Sequence, residues 1–89
     1  MKLVEEDMRE AILALFMKYG NTTAIMNCTD DPCKANIFSD GFVDSFSVTS
    51  IIALIEEKYD YSFTSKQLQG DEIRTILGMV NILIRELNV

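Results

Sequence analysis

The run DGFVDSFSVTSIIALIEEKY, residues 40–59, changes character partway along. Asp40 and Gly41 are turn formers, but from Ser45 onward Val48, Ile51, Ile52, Ile55 and Tyr59 recur at steps of three and four, with Ser47, Ser50, Glu56 and Glu57 on other faces. That period predicts an amphipathic helix over Ser45–Tyr59. An oxygen acceptor at the boundary, from Asp44 or Ser45, suits the cap such a start requires.

On the N-terminal side the same period recurs. From Leu3 to Tyr19, Val4, Met8, Ala11, Ile12, Leu15, Phe16 and Tyr19 form an apolar stripe, with Glu5, Glu6, Arg9, Glu10 and Lys18 elsewhere. Gly20 is expected to stop this helix in a left-handed cap. Residues 20–44 carry turn formers (Asn21, Asn27, Asp30, Asp31, Pro32, Asn36) without sustained periodicity, and read as a long first loop. Ile25, Met26, Ile37, Phe38 and Phe42 are expected to pin that loop to the core, and Asp31-Pro32 to open one helical turn.

On the C-terminal side, Tyr61 and Phe63 alternate with Ser62 and Thr64 but have no partner strand, so they read as an extended connector. Ser65 is expected to cap a short turn through Gln67 and Leu68. A last helix follows from about Thr75 to Leu87, with Ile76, Val80, Leu83, Ile84 and Leu87 on its stripe. Leu77, Met79 and Ile82 make it apolar nearly all round, as a deeply buried helix is. Gly78 within it is expected to make room for a neighbouring side chain. The resulting fold is all-α: a small four-helix bundle of three long helices and one short, with a long first loop, in one domain over residues 1–89.

Composition narrows the function. The chain has 89 residues, 14 acidic and 8 basic, with no histidine, and a net charge of −6. Such a charge repels phosphate backbones, which argues against nucleic acid and toward basic protein partners. Without histidine the commonest general base and metal ligand is missing, and Cys28 and Cys33 alone cannot complete a zinc site, so no metal is expected. Acids at Glu5, Glu6 and Asp7 interrupt any signal peptide, and no apolar run reaches membrane-spanning length. A cytoplasmic protein is expected, with Cys28 and Cys33 as free thiols. Met8, Met17, Met26 and Met79 read as fillers of the core or its boundary.

Ser45 is the residue best placed for chemistry. A helix N-terminus favours phosphate through its unpaired amides and positive dipole end, worth ~0.3–1 kcal/mol for a phosphoester on Ser45. Asp44 could help hold magnesium during phosphoryl transfer. On spacing alone, helix capping accounts for both residues.

Asp44-Ser45-Phe46, preceded by Asp40-Gly41-Phe42-Val43 and followed by Ile51 through Tyr59, resembles the acyl and peptidyl carrier proteins, and Thr75-Ile76 resembles the start of that family's last helix. The resemblance implies 4'-phosphopantetheine on Ser45, placed there by a separate phosphopantetheinyl transferase with Asp44 on its metal side. A monomeric, non-catalytic protein would then carry an acyl or aminoacyl group as a thioester. It also implies that loading and transferring enzymes with basic docking surfaces read Thr49, Ser50, Ala53, Glu56 and Glu57. Ser50 stands where fatty-acid carriers usually have an acid, and Ala53 where they have a larger apolar residue. The two residues between Gly41 and Asp44, together with Phe46 after the serine, resemble D-alanyl carriers and other specialised carriers. Phe46 itself is expected to anchor the helix start in the core. The alternative is an unmodified acidic interaction module that binds a basic partner through Glu56, Glu57, Asp71 and Glu72.

Overall fold

A computed structural model describes residues 4–87. The expected helix start at Leu3 lies outside them. Three long helices, α1 (Glu5–Tyr19), α3 (Ser45–Tyr59) and α5 (Ile76–Leu87), make up most of the all-α fold, with short α2 (Thr22–Met26), short α4 (Ser65–Gln69) and a 3-10 turn (Glu72–Arg74) between them. Helix α1 packs against α5 and α3. Its buried residues are Met8, Ile12 and Phe16, while Val4 and Tyr19 at the two ends of the expected stripe are exposed. In α3 the buried positions are Val48, Ile51 and Ile55. Helix α5 buries Ile76, Gly78, Met79, Val80, Ile82 and Leu83, leaving Asn81, Arg85 and Glu86 outside.

Several elements differ from the sequence reading for local reasons. The first loop holds a second short helix, because Asn21 accepts the Ala24 N–H at 3.1 Å and so caps a turn that buries Ile25. Gly20 is extended (φ −98°, ψ −157°), not left-handed. Glycine is needed there because a Cβ would lie 2.7 Å from both the Phe16 and Phe42 carbonyl oxygens, where Asn21 N–H meets Phe42 O at 2.7 Å. The cap of α4 is Thr64 rather than Ser65: Thr64 Oγ1 accepts the Gln67 N–H, and Gln67 Oε1 accepts the Thr64 N–H.

The first loop is held from three sides. Asp31-Pro32 opens a hydrogen-bonded turn, not the helical turn expected, with Lys34 N–H on Asp31 O; Asp31 also accepts the Cys33 N–H through Oδ1 and pairs with Arg9 of α1 through Oδ2 at 2.8 Å. Ile37 N–H donates to Arg74 O and Leu77 N–H to Cys33 O, each at 2.8 Å. Ile25, Ile37 and Phe42 are buried as expected, but Met26 and Phe38 lie on the surface. The connector after α3, residues 61–64, is neither helix nor strand, and the Tyr61 and Phe63 rings pack edge to face at 5.4 Å. Gly78 makes room not for a side chain, as expected, but for backbone, the Glu72 carbonyl of the 3-10 turn.

Candidate functional site

Asp44 leads into α3 in extended conformation, so the helix begins abruptly at Ser45. Asp44 is the cap. Its Oδ1 accepts the Ser47 N–H at 2.8 Å while Ser47 Oγ accepts the Asp44 N–H at 2.9 Å, a reciprocal box that fixes the direction in which the chain enters. The Ser47 amide, and then the Ser47 hydroxyl, which donates to Asp44 Oδ1 at 2.9 Å, hold the Asp44 carboxyl below the usual aspartate range. Gly41, two residues before Val43, takes φ +73°, the left-handed turn that lets the loop reach this point.

Ser45 occupies the first helical position and is exposed. The hydrogen bonds around it engage Asp44, Ser47 and Thr49; Thr49 Oγ1 donates to the Ser45 carbonyl at 2.8 Å, and the Ser45 hydroxyl is left out of the network among the described residues. Its oxygen is thus reachable and uncommitted. Since the Asp44 carboxylate already sits on the helix end, the amide field open to a phosphate is smaller than the sequence implies.

Phe46 overturns its expected role. It is 89% exposed, because position 46 falls between the turns that carry Val48, Ile51 and Ile55 inward. Thr49, Ser50, Ala53 and Glu57 are exposed on the same outer side. Glu56 differs from them: it is half-buried, and its Oε2 accepts the Phe63 N–H at 2.8 Å, tying α3 to the connector. The other acids considered for a basic partner are partly engaged too. Asp71 lies 3.5 Å from Arg74, and Glu72 takes both ends of the Arg85 guanidinium at 2.9 and 3.1 Å.

Beside this face runs an open groove of about 430 Å³, lined by Phe38, Val48, Thr49, Ile52, Ala53, Glu56, Leu68 and Ile73. Phe38 and Leu68, each 43% exposed, form its apolar walls, and neither was singled out for a site in the sequence. A larger hollow of about 660 Å³ beneath the first loop is lined mainly by polar side chains, among them Asn27, Asp30, Asp31, Lys34 and Asp40.

Cys28 and Cys33 are both free thiols, as read. Burial raises the Cys33 thiol above the ordinary cysteine value, opposed by the neighbouring Arg9. Among the described residues no group of three or more Cys, Asp or Glu is placed to hold a metal ion, and no helix is long and apolar enough to cross a membrane. Compared with models of protein families, with curated proteins and with solved structures, the chain finds no match.

Proposed function

We propose that this chain is a phosphopantetheine-dependent carrier of a specialised pathway, holding an acyl or aminoacyl group on an arm attached to Ser45. The observation that carries the reading is the exposed, uncommitted hydroxyl of Ser45 at the first position of α3, directly after the Asp44 cap. Attachment needs such an oxygen. In that step Ser45 Oγ attacks the phosphorus of coenzyme A that bears the pantetheine, a P–O bond to the nucleotide breaks, the serine proton goes to a base of the transferase, and adenosine 3',5'-bisphosphate leaves. Asp44 keeps its carboxylate ionised beside the reacting centre, where the transferase's metal would be bound.

Once attached, the arm supplies a terminal thiol for thioester chemistry. The contribution of the protein is mechanical: a rigid helix end, fixed by the Asp44–Ser47 box, from which a tether sweeps cargo between enzymes at high effective concentration. The carrier itself performs no reaction. The bond from the Phe63 N–H to Glu56 and the pairing of Glu72 with Arg85 reduce the acids free for the rival acidic interaction module, which keeps Glu57 and the fully exposed Asp71.

The test is incubation with coenzyme A, magnesium and a broad-specificity phosphopantetheinyl transferase, read by intact-protein mass. A single phosphopantetheine gained by the wild type and absent from Ser45→Ala is expected. No gain with several transferases would overturn the carrier reading.

A further inference from the structure

We infer that the enzyme that modifies Ser45 docks on α3 through an apolar pocket that takes the Phe46 ring, and not through a patch of basic side chains. This rests on the carrier reading above and adds the chemistry of the partner. Any enzyme whose active site reaches Ser45 Oγ must also cover residue 46. What it covers is a phenylalanine 89% open to water, the most exposed large apolar side chain among the described residues. A lone exposed apolar residue is ordinary, so exposure alone would carry little. The charge around it decides the matter.

Phe46, Thr49, Ser50 and Ala53 form a continuous strip at helical spacing, and none carries charge although the chain as a whole stands at −6. The acids at its edges are engaged: Asp44 with Ser47, and Glu56 with the Phe63 N–H. Glu57 is the remaining acid on this side, twelve residues from Ser45 and so roughly 18 Å further along the helix axis at 1.5 Å per residue. A basic docking surface aligned on Ser45 would therefore meet one carboxylate, the exposed Asp44 of the capping box, and beyond it only uncharged side chains along the strip. An apolar pocket would meet the ring, with the apolar walls Phe38 and Leu68 extending the contact on the groove side. Buried aromatic anchors in a pocket are the usual source of binding energy in interfaces.

The experiment measures steady-state modification of the full-length apo protein by a broad-specificity phosphopantetheinyl transferase with coenzyme A, comparing wild type, Phe46→Ala, Phe46→Leu and Glu57→Gln at low and high salt. Phe46→Ala is expected to raise KM about tenfold or more with kcat little changed, and Phe46→Leu to recover most of it. Glu57→Gln and added salt are expected to move KM by less than about twofold. A wild-type KM in Phe46→Ala, or a KM that climbs steeply with salt and with Glu57→Gln, would overturn the inference while leaving the carrier reading intact. So would a dimer in sedimentation that Phe46→Ala dissociates, since the ring would then be covered by a second copy. A wild type that no transferase modifies overturns the carrier reading itself, and this inference with it.

Discussion

Replacing Gly78 with alanine sets two physical effects against each other, and the structure says which prevails. Intrinsic preference favours alanine inside a helix by about 1 kcal/mol. Against that, a Cβ at position 78 would lie 1.7 Å from the Glu72 carbonyl oxygen, 2.7 Å from the Glu72 carbonyl carbon and 3.0 Å from Thr75 Oγ1. The first two are backbone atoms, so no rotamer change relieves them. The 3-10 turn must retreat from α5, which draws Ile73, now 4% exposed, out of the core and stretches the 2.8 Å bond from Ile37 N–H to the Arg74 carbonyl. Losing much of an isoleucine's burial costs about 1.5–3 kcal/mol and a backbone hydrogen bond about 1. After the alanine preference is deducted, Gly78→Ala should destabilise the protein by about 2 kcal/mol, a large part of what a domain of this size holds. Urea unfolding followed by circular dichroism measures it. A variant as stable as the wild type, or more so, would refute the close approach of the turn to α5.

Other expectations follow from burial and hydrogen bonding. Phe46→Ala should leave stability within about 0.5 kcal/mol of wild type, whereas Phe42→Ala, at a site 1% exposed, should cost about 3–5 kcal/mol; comparable losses in urea melts would contradict the placement of these two rings. Because the folded-state pKa of Asp44 is depressed, its contribution is present above the unfolded aspartate value and is lost as pH falls through the folded one. The gap in urea midpoint between wild type and Asp44→Ala should accordingly be open at neutral pH and close in acid below the aspartate range; a gap independent of pH would be contrary. In the native protein Cys28, half-buried, should react with a thiol reagent well before Cys33, which is 4% exposed, and equal rates would count against the packing of the first loop. The amides of Ile37 and Leu77, bonded to Arg74 and Cys33, should exchange with deuterium far more slowly than that of Asp30, an exposed loop residue; uniform fast exchange across residues 28–40 would show the loop to be untied.

The three long helices are legible because each repeats its apolar residues over several turns. Helix α2 is too short for a period, and its one signal is the asparagine at position 21 directly after the glycine that ends α1. Thr64 and Ser65 are both capping types, and what chooses Thr64 is Gln67 three residues on, which answers the threonine but not the serine. Gly20 was legible as a stop but not as a close approach, since the Phe42 carbonyl that crowds it is far away in sequence. In the candidate site, Ser45 and the Asp44 cap can be read directly from DSF at the head of a striped helix. Phe46 could have been placed outside by phase, because it is out of step with Val48, Ile51 and Ile55; treating any aromatic at a helix start as an anchor hides that. The engagement of Glu56 is invisible in sequence, for its partner is a main-chain amide seven residues away, brought round by the left-handed Asp60 that closes α3.

Tandem mass spectrometry of the transferase-treated protein, with the modified residue assigned by fragmentation, asks most directly whether α3 begins with an attachment point. Four serines lie close in sequence at positions 39, 45, 47 and 50: Ser47 is held in the capping box, Ser39 belongs to the loop and Ser50 to the second turn of α3, and Ser45 alone follows the Asp44 cap at the first helical position. Phosphopantetheine on Ser45 and on no other residue is the predicted result. An unmodified chain, or the group on Ser39, Ser47 or Ser50, would contradict it.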